Sequence, residues 1–207
     1  MLTLAILQQL WPNGDSKIRG LRVAMATGAP TVFPNYGLTS DLCIAHAMAQ
    51  FSHECNAGQA VEENLNYSAQ GLIATWPNRF TAEQASAMAH NPQAIANYVY
   101  DGRNGNLLNS DDGWTFRGRG AIQVTGRGNY ATLGQRVRLD LVNQPDLVLD
   151  APNFLECAVA MFVILGCLPY AQNDDINGVT IKVNGGLNGL PDRQLWLTRW
   201  KAALGPP

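Results

Sequence analysis

A chain of 207 residues with 46% apolar content is long enough to bury a full core and lies within the range of single domains. Charged residues make up only 14% and the formal balance is −2, so no strong field draws the protein onto nucleic acid or an anionic membrane surface. The opening MLTLAILQQLWPNGDSK has no positive start and no small-residue cleavage site after a sustained apolar run, which argues against a signal peptide.

In chain order, Leu4–Leu10 and residues 16–25 read as short helices split by the Pro12-Asn13-Gly14 turn, packing outside any site formed by the rest. From Thr39, Ser40 or Asp41 can cap a helix in which Leu42, Ala45, Met48, Ala49 and Phe51 keep helical spacing, ending near Asn56 or Gly58. Thr81 with Gln84 three residues later is a capping box, and Asn91-Pro92 starts a helix towards Tyr100. Residues 114–125 alternate loosely around glycines and read as a small hairpin.

The apolar run 154–168 falls short of the roughly 20 residues a membrane span needs, so it reads as a central buried helix capped by Asn153 and ended by Pro169. Asp174 and Asp175 open another helix, closed by Asn184-Gly185-Gly186. A last helix begins near Pro191 and carries Leu195, Trp196, Trp200 and Leu204. Cys43, Cys55, Cys157 and Cys167 lack CxxC spacing and fit as reduced core residues. The expectation is one mainly helical domain, residues 1–37 forming an N-terminal helical part and residues 38–207 the core.

Two glutamates carry the chemistry. Glu54, in FSHECNAG, lies at the C-terminal end of a helix, where unpaired carbonyls and the negative dipole end disfavour an ionised carboxylate, as a proton donor requires. Glu63, nine residues on in VEENLNYS, stands in a polar loop where water and amide donors can keep it charged. Taken alone, a His-Glu pair at a helix end is a solvated terminus, and Glu62 beside Glu63 is a pair of surface charges. His53-Glu54 matches the start of a zinc-protease motif, but Ala57 stands where the second histidine belongs, and no metal or other cofactor is expected.

Three stretches in fixed order are far more specific: HECNAGQAVEENLNYSAQGL, FRGRGAIQVTGRGNY and IKVNGGLNGLPDR. Together they resemble glycoside hydrolase family 19, which includes plant-type chitinases and many phage endolysins, from about Leu38 to the final helix. The resemblance implies a mainly α (α+β), lysozyme-like bilobal fold, with the small hairpin lining a substrate cleft, and a direct inverting displacement. It implies Glu54 as general acid and Glu63 as general base. It further implies Thr125 as a holder of the attacking water, and Gln123, Asn129, Tyr130 and Asn184 as substrate-binding positions. Arg193 matches the arginine that supports the acid. Tyr67 is a further groove candidate, whereas Trp76, Phe80, Trp114 and Phe116 read more readily as core. Arg117 and Arg119 are open between contacting substrate and holding the hairpin.

The sequence departs from the plant-type pattern at two places. Asn188 stands where those chitinases carry a glutamate, and the interval between Glu54 and Glu63 is compact, as in the phage and bacterial branch. Peptidoglycan is therefore the expected polymer, with chitin as the alternative and a non-cutting glycan-binding module as a third reading. The expected protein is a monomer that collects in a host cytoplasm until released to the cell wall.

Overall fold

The computed structural model describes residues 1–205. α1 (Leu4–Leu10) starts where Thr3 accepts from the Ile6 amide, and α2 spans Leu21–Asn35. This second helix corrects the expected 16–25: it begins later and continues through Pro30 and Pro34 because Met25, Ala29 and Phe33 form a buried stripe at four-residue spacing. Tertiary burial overrides the proline signal here.

α3 (Asp41–Glu54), capped by Ser40, is buried from Cys43 through Ser52, and α12 (Leu190–Leu204) lies along it. The indole N–H groups of Trp11 and Trp200 both donate to Ser52 Oγ at 2.8 Å, while Ser52 donates to the Met48 carbonyl at 2.7 Å. Thus α1 and α12 are pinned to the turn of α3 just before Glu54. α1 packs against α2 and α12, and the turn between α1 and α2 does not stay remote from the glutamates, since Lys17 lines a cavity that Glu63 also lines.

A second apolar cluster gathers Leu65, Leu72, Phe80, Ala85, Ile95, Ala96 and Val99, from the segment after Glu63 and from α4 (Ala69–Thr75), α5 (Ala82–Met88) and α6 (Pro92–Val99). The capping box at Thr81 and the Asn91 cap form as predicted. Tyr67, Trp76, Phe80 and Tyr98 stack in succession, with ring centroids 5.2, 6.0 and 4.9 Å apart. These aromatics build the smaller lobe's core. Val61 belongs to the main cluster and Leu65 to the small one, so Glu63 sits at the junction of the two.

The fold is mainly helical as expected, but the expected hairpin over 114–125 is not seen. Asp112–Thr115 is a short helix, α7, followed by isolated antiparallel bridges between Glu62 and Arg119 and between Arg119 and Val124. A single pair of backbone bonds, 2.9 and 3.2 Å, closes the loop between Arg119 and Val124. Left-handed Gly120 and Gln123 turn the chain too soon for a ladder to extend. α8 (Arg127–Val137) follows, then a 3-10 turn at Pro145–Leu149.

α9 (Ala151–Ile164) is the central helix of the main lobe, buried from Phe154 to Phe162 except for Glu156. Its cap is Asp150 rather than Asn153, because Pro152 occupies the first turn, where a missing N–H costs nothing. It ends at Leu165, and Pro169 instead opens α10 (Leu168–Gln172). α11 (Ile176–Asn184) is capped by Asp175 and closed by left-handed Gly185. On α12, Leu197, Trp200 and Leu204 are buried while Leu195 faces solvent, 48% exposed. All four cysteines are buried and unbonded. No helix among the described residues is long and apolar enough to cross a membrane.

A polar cluster around buried His46 lies outside this plan. His46 Nε2 pairs with Asp174 at 2.8 Å, and Lys201 Nζ donates to the same carboxylate at 2.6 Å. Burial holds the His46 imidazole below its ordinary value of 6.5, assisted by Lys201 and opposed by Asp174 and Asp175. A folded value below the unfolded one means that the unfolded chain takes up the proton first as pH falls. The contribution to stability is therefore full above the unfolded value and is lost as pH falls through the folded one. The urea midpoint is expected to fall as pH drops below the ordinary imidazole value, and His46→Gln to flatten that slope; an equal slope in the variant would remove His46 as its source.

Candidate active site

Glu54 is the last residue of α3, and its side chain is 18% exposed. Beyond it the chain reverses tightly, with Asn56, Ala57 and Gly58 all at positive φ, and the Ala57 amide bonding back to the Ser52 carbonyl at 2.9 Å. A side chain at Gly58 would meet the Gly14 carbonyl oxygen at 2.7 Å, so only glycine lets the N-terminal turn close over this reversal.

Beneath Glu54 lies Arg193 on α12, fully buried. Its Nη2 donates to Glu54 Oε1 at 2.5 Å, its Nη1 to Gln50 Oε1, and its Nε to the Asn188 carbonyl at 3.2 Å. Asn188 Nδ2 in turn donates to Asn184 Oδ1 at 3.3 Å. Where the plant-type pattern has a glutamate, this chain links Asn184 to the arginine through a backbone carbonyl and a neutral amide. Arg193, matched to the arginine that supports the acid, lies buried against Glu54 and has no face to offer a substrate. Asn184 is exposed at the end of α11.

Glu63 is held from two sides. Tyr100, at the end of α6, donates its hydroxyl to Glu63 Oε1 at 2.5 Å, and the Gly118 amide approaches Oε2 at 3.3 Å. The Glu63 amide donates to the Gly118 carbonyl at 2.9 Å, fixing the backbone register. Burial, then the charge of Glu63, push the Tyr100 hydroxyl above the ordinary phenol value of 10, so it stays a donor. Oε2, with one long contact, is the oxygen left open to another donor.

The loop before α8 brings Gln123 and Thr125 beside Glu63, with Asn129 bonded to it from the first turn of α8. Thr125 Oγ1 donates to the Gln123 carbonyl at 3.0 Å, Gln123 Nε2 to the Gly120 carbonyl at 3.0 Å, and Asn129 Nδ2 to the Thr125 carbonyl at 2.8 Å. With its proton engaged, the Thr125 hydroxyl presents lone pairs and acts as an acceptor. Gly118 is the point of convergence: a Cβ there would lie 3.0 Å from Gln123 Oε1, 3.2 Å from Thr125 Oγ1 and 3.3 Å from the Glu63 Cβ. Gly118→Ala is expected to fold but to lower turnover by about tenfold, by displacing these groups a few tenths of an ångström. Unchanged kinetics, with thermal melting as the fold control, would show that the packing does not matter.

Tyr130 is a correction. It is fully buried, its hydroxyl donates to the Arg117 carbonyl at 3.0 Å and accepts from Arg119 Nη1 at 3.2 Å, and it has no face to offer a substrate. Arg119 is likewise internal, 3.0 Å from Asp146 and 3.5 Å from Glu62, with Nη1 also on the Thr115 carbonyl at 2.7 Å. Arg117 donates to Glu62 at 2.6 Å and lies over Trp114, 4.1 Å from the ring centroid. Both arginines thus hold the loop. Tyr67 is half-buried, edge-on to Trp76 in the small lobe.

A cavity of about 430 Å³ is lined by Lys17, Gln59, Ala60, Val61, Glu62, Glu63 and Asn64, so Glu63 opens to solvent. Tyr100 and Gln50 escaped sequence reasoning. Gln50 left one signal, a polar residue within the apolar run 47–51 of α3; Tyr100 left none, since its partner is 37 residues away. Among the described residues no group of three or more His, Cys, Asp or Glu side chains is placed to hold a metal.

Comparison with known proteins bears on this arrangement. The family model described as chitinase class I matches residues 23–166. A glycosyl hydrolase family 19 domain-containing protein of Haemophilus influenzae is 36% identical over 163 residues, covering 76% of this chain and 78% of the relative. A basic endochitinase of Vitis vinifera is 31% identical over 125 residues, 58% of this chain, and the match spans 34% of the plant enzyme. Among solved structures, a bacterial family 19 chitinase aligns with a TM-score of 0.63 at 21% identity, covering 99% of this chain and 95% of that one. Chitinase C from Streptomyces griseus aligns at 0.61 and 19% identity, covering 99% and 76%. These two establish the lysozyme-like helical fold, while the family match and the Haemophilus relative place the sequence. The chain belongs to glycoside hydrolase family 19 and is a glycoside hydrolase.

Proposed function

We propose that the chain is an endolysin-type enzyme that hydrolyses the β-1,4 bond between N-acetylmuramic acid and N-acetylglucosamine in peptidoglycan. Glu54 acts as general acid and Glu63 as general base in a single inverting displacement. The observation that carries the mechanism is the convergence of Glu63 and Thr125 on Gly118. A water between them donates one hydrogen to Glu63 Oε2 and the other to Thr125 Oγ1, which leaves a lone pair for the anomeric carbon. Glu54 gives its proton to the departing sugar oxygen and returns to the carboxylate that Arg193 stabilises. Inversion places about 6.5–9.5 Å between the two carboxyl groups to admit that water. Gln123, Asn129 and Asn184 supply amides for N-acetyl groups.

Peptidoglycan is favoured over chitin by the compact interval between the two glutamates and by the ENLNYSAQGL run. In this reading the monomer collects in a host cytoplasm and reaches the wall through a pore made by another protein. The likeness to plant endochitinases favours a second reading, hydrolysis of chitin. Turbidity of outer-membrane-permeabilised Gram-negative cells, set against sugar release from colloidal chitin, decides between them. Mass spectrometry of the digest should show N-acetylmuramic acid at new reducing ends, and release from chitin alone would reverse the assignment.

A further inference from the structure

A second cavity, of about 300 Å³, lies where the C-terminal ends of α2 and α8 meet α9, lined by Asn35, Tyr36, Arg136, Val137, Arg138 and Glu156. Its polar groups are pre-arranged. Tyr36 donates its hydroxyl to Glu156 Oε1 at 3.0 Å, and the Arg136 guanidinium lies over the Tyr36 ring, 5.1 Å from its centroid. Burial, then the Glu156 bond, push the Tyr36 hydroxyl up to about 12, so it remains a donor that fixes the carboxylate.

The charges around this hollow do not neutralise one another. Among the described residues the ion pairs of arginine engage Arg22, Arg117, Arg119, Arg127 and Arg193, but neither Arg136 nor Arg138. Among the same residues Glu156 has a tyrosine as its partner and no cation. Two guanidinium groups and one carboxylate held apart around one cavity are complementary to a ligand that carries both signs of charge.

The cavity is also in register with the active site. Arg136 follows Asn129 by seven residues on α8, two helical turns, which puts both on one face roughly 10 Å apart along the axis. Exposed Thr132 lies between them. A polar stripe therefore leads from the loop that carries Thr125 to the unpaired arginines. An unbranched acetamido glycan offers this cavity only neutral groups, whereas the stem peptide of peptidoglycan ends in ammonium and carboxylate groups.

We infer that this cavity is a subsite for the stem peptide of peptidoglycan, binding the zwitterionic end of a diamino-acid residue, with its carboxylate on Arg136 and Arg138 and its ammonium on Glu156. The inference rests on the peptidoglycan reading above. Calorimetric titration of the full chain with the tripeptide L-alanyl-D-isoglutamyl-meso-diaminopimelate is expected to show binding. Arg136→Ala and Glu156→Gln should each weaken it about tenfold, the loss expected from one charge-assisted contact. Binding that neither variant changes would overturn the subsite, as would inorganic phosphate competing equally well and gaining affinity in Glu156→Gln. In kinetics, Arg136→Ala should raise KM on stem-bearing peptidoglycan while leaving hydrolysis of the same glycan stripped of its stem peptides unchanged; equal losses on both would also overturn it. The two failures are distinct. A parent protein that binds the tripeptide but does not cut peptidoglycan sinks the functional reading, whereas one that cuts peptidoglycan without binding the tripeptide sinks the subsite.

Discussion

Glu54→Gln is expected to reduce turnover by about a hundredfold to ten-thousandfold, the range that a positioned general acid contributes, while glycan binding stays close to that of the parent. The physical case rests on what the amide keeps and what it loses. Its carbonyl oxygen still accepts from Arg193 Nη2, so the end of α3 keeps its shape. It cannot hand a proton to the leaving sugar oxygen, and among the described residues no other acidic side chain bonds to Arg193. Loss of the charge-assisted part of that bond lowers stability by about 1 kcal/mol, small enough that an inactive variant remains folded. Single-turnover rates with a soluble glycan, alongside direct binding to the same glycan, separate the two effects. A variant that turned over at the parental rate would end the assignment of Glu54 as proton donor.

Such variants can be designed from sequence because the helix ends are written in local chemistry. Ser40, Thr81, Asn91 and Asp175 each cap through their own side chain to an amide three residues ahead, so the positions of α3, α5, α6 and α11 were legible. Where the decisive contact is distant, the reading failed. The helix expected over 16–25 starts later and runs to Asn35 because a buried stripe carries it through Pro30, and Pro169, expected to end the central helix, sits in the first turn of α10. The 114–125 segment has strand-like composition, yet one bridging pair is all that its turn geometry permits.

The site divides in the same way. Glu54, Glu63, Gln123, Thr125 and Asn129 were legible as candidates because contiguous motifs hold them, whereas the full burial of Tyr130 was not, because a motif says nothing about burial. Tyr100 reaches Glu63 from the other lobe's helix, a relation set by tertiary packing alone.

Arg193→Ala is expected to be the most damaging single change to stability. The guanidinium is wholly buried and serves three different acceptors, two of them on α3. Its removal leaves Glu54 without its counter-charge and the Gln50 amide oxygen without a donor, beside a cavity where the long side chain ran. Breaking a buried pair in this way costs about 3–5 kcal/mol, and the lower end applies because Glu54 keeps 18% exposure to water. For a chain of this size a loss of about 3 kcal/mol lowers Tm by roughly 6–12 °C. Lysine does not restore the parent, since one ammonium cannot satisfy a carboxylate, an amide oxygen and a backbone carbonyl in a planar fork. The charge part of the penalty can be isolated. If the damage comes from an uncompensated carboxylate, adding Glu54→Gln to Arg193→Ala should return about 1–2 kcal/mol relative to the sum of the single changes. Additive losses in that cycle, measured by urea unfolding, would mean that Arg193 acts through packing alone and does not support the charge on Glu54.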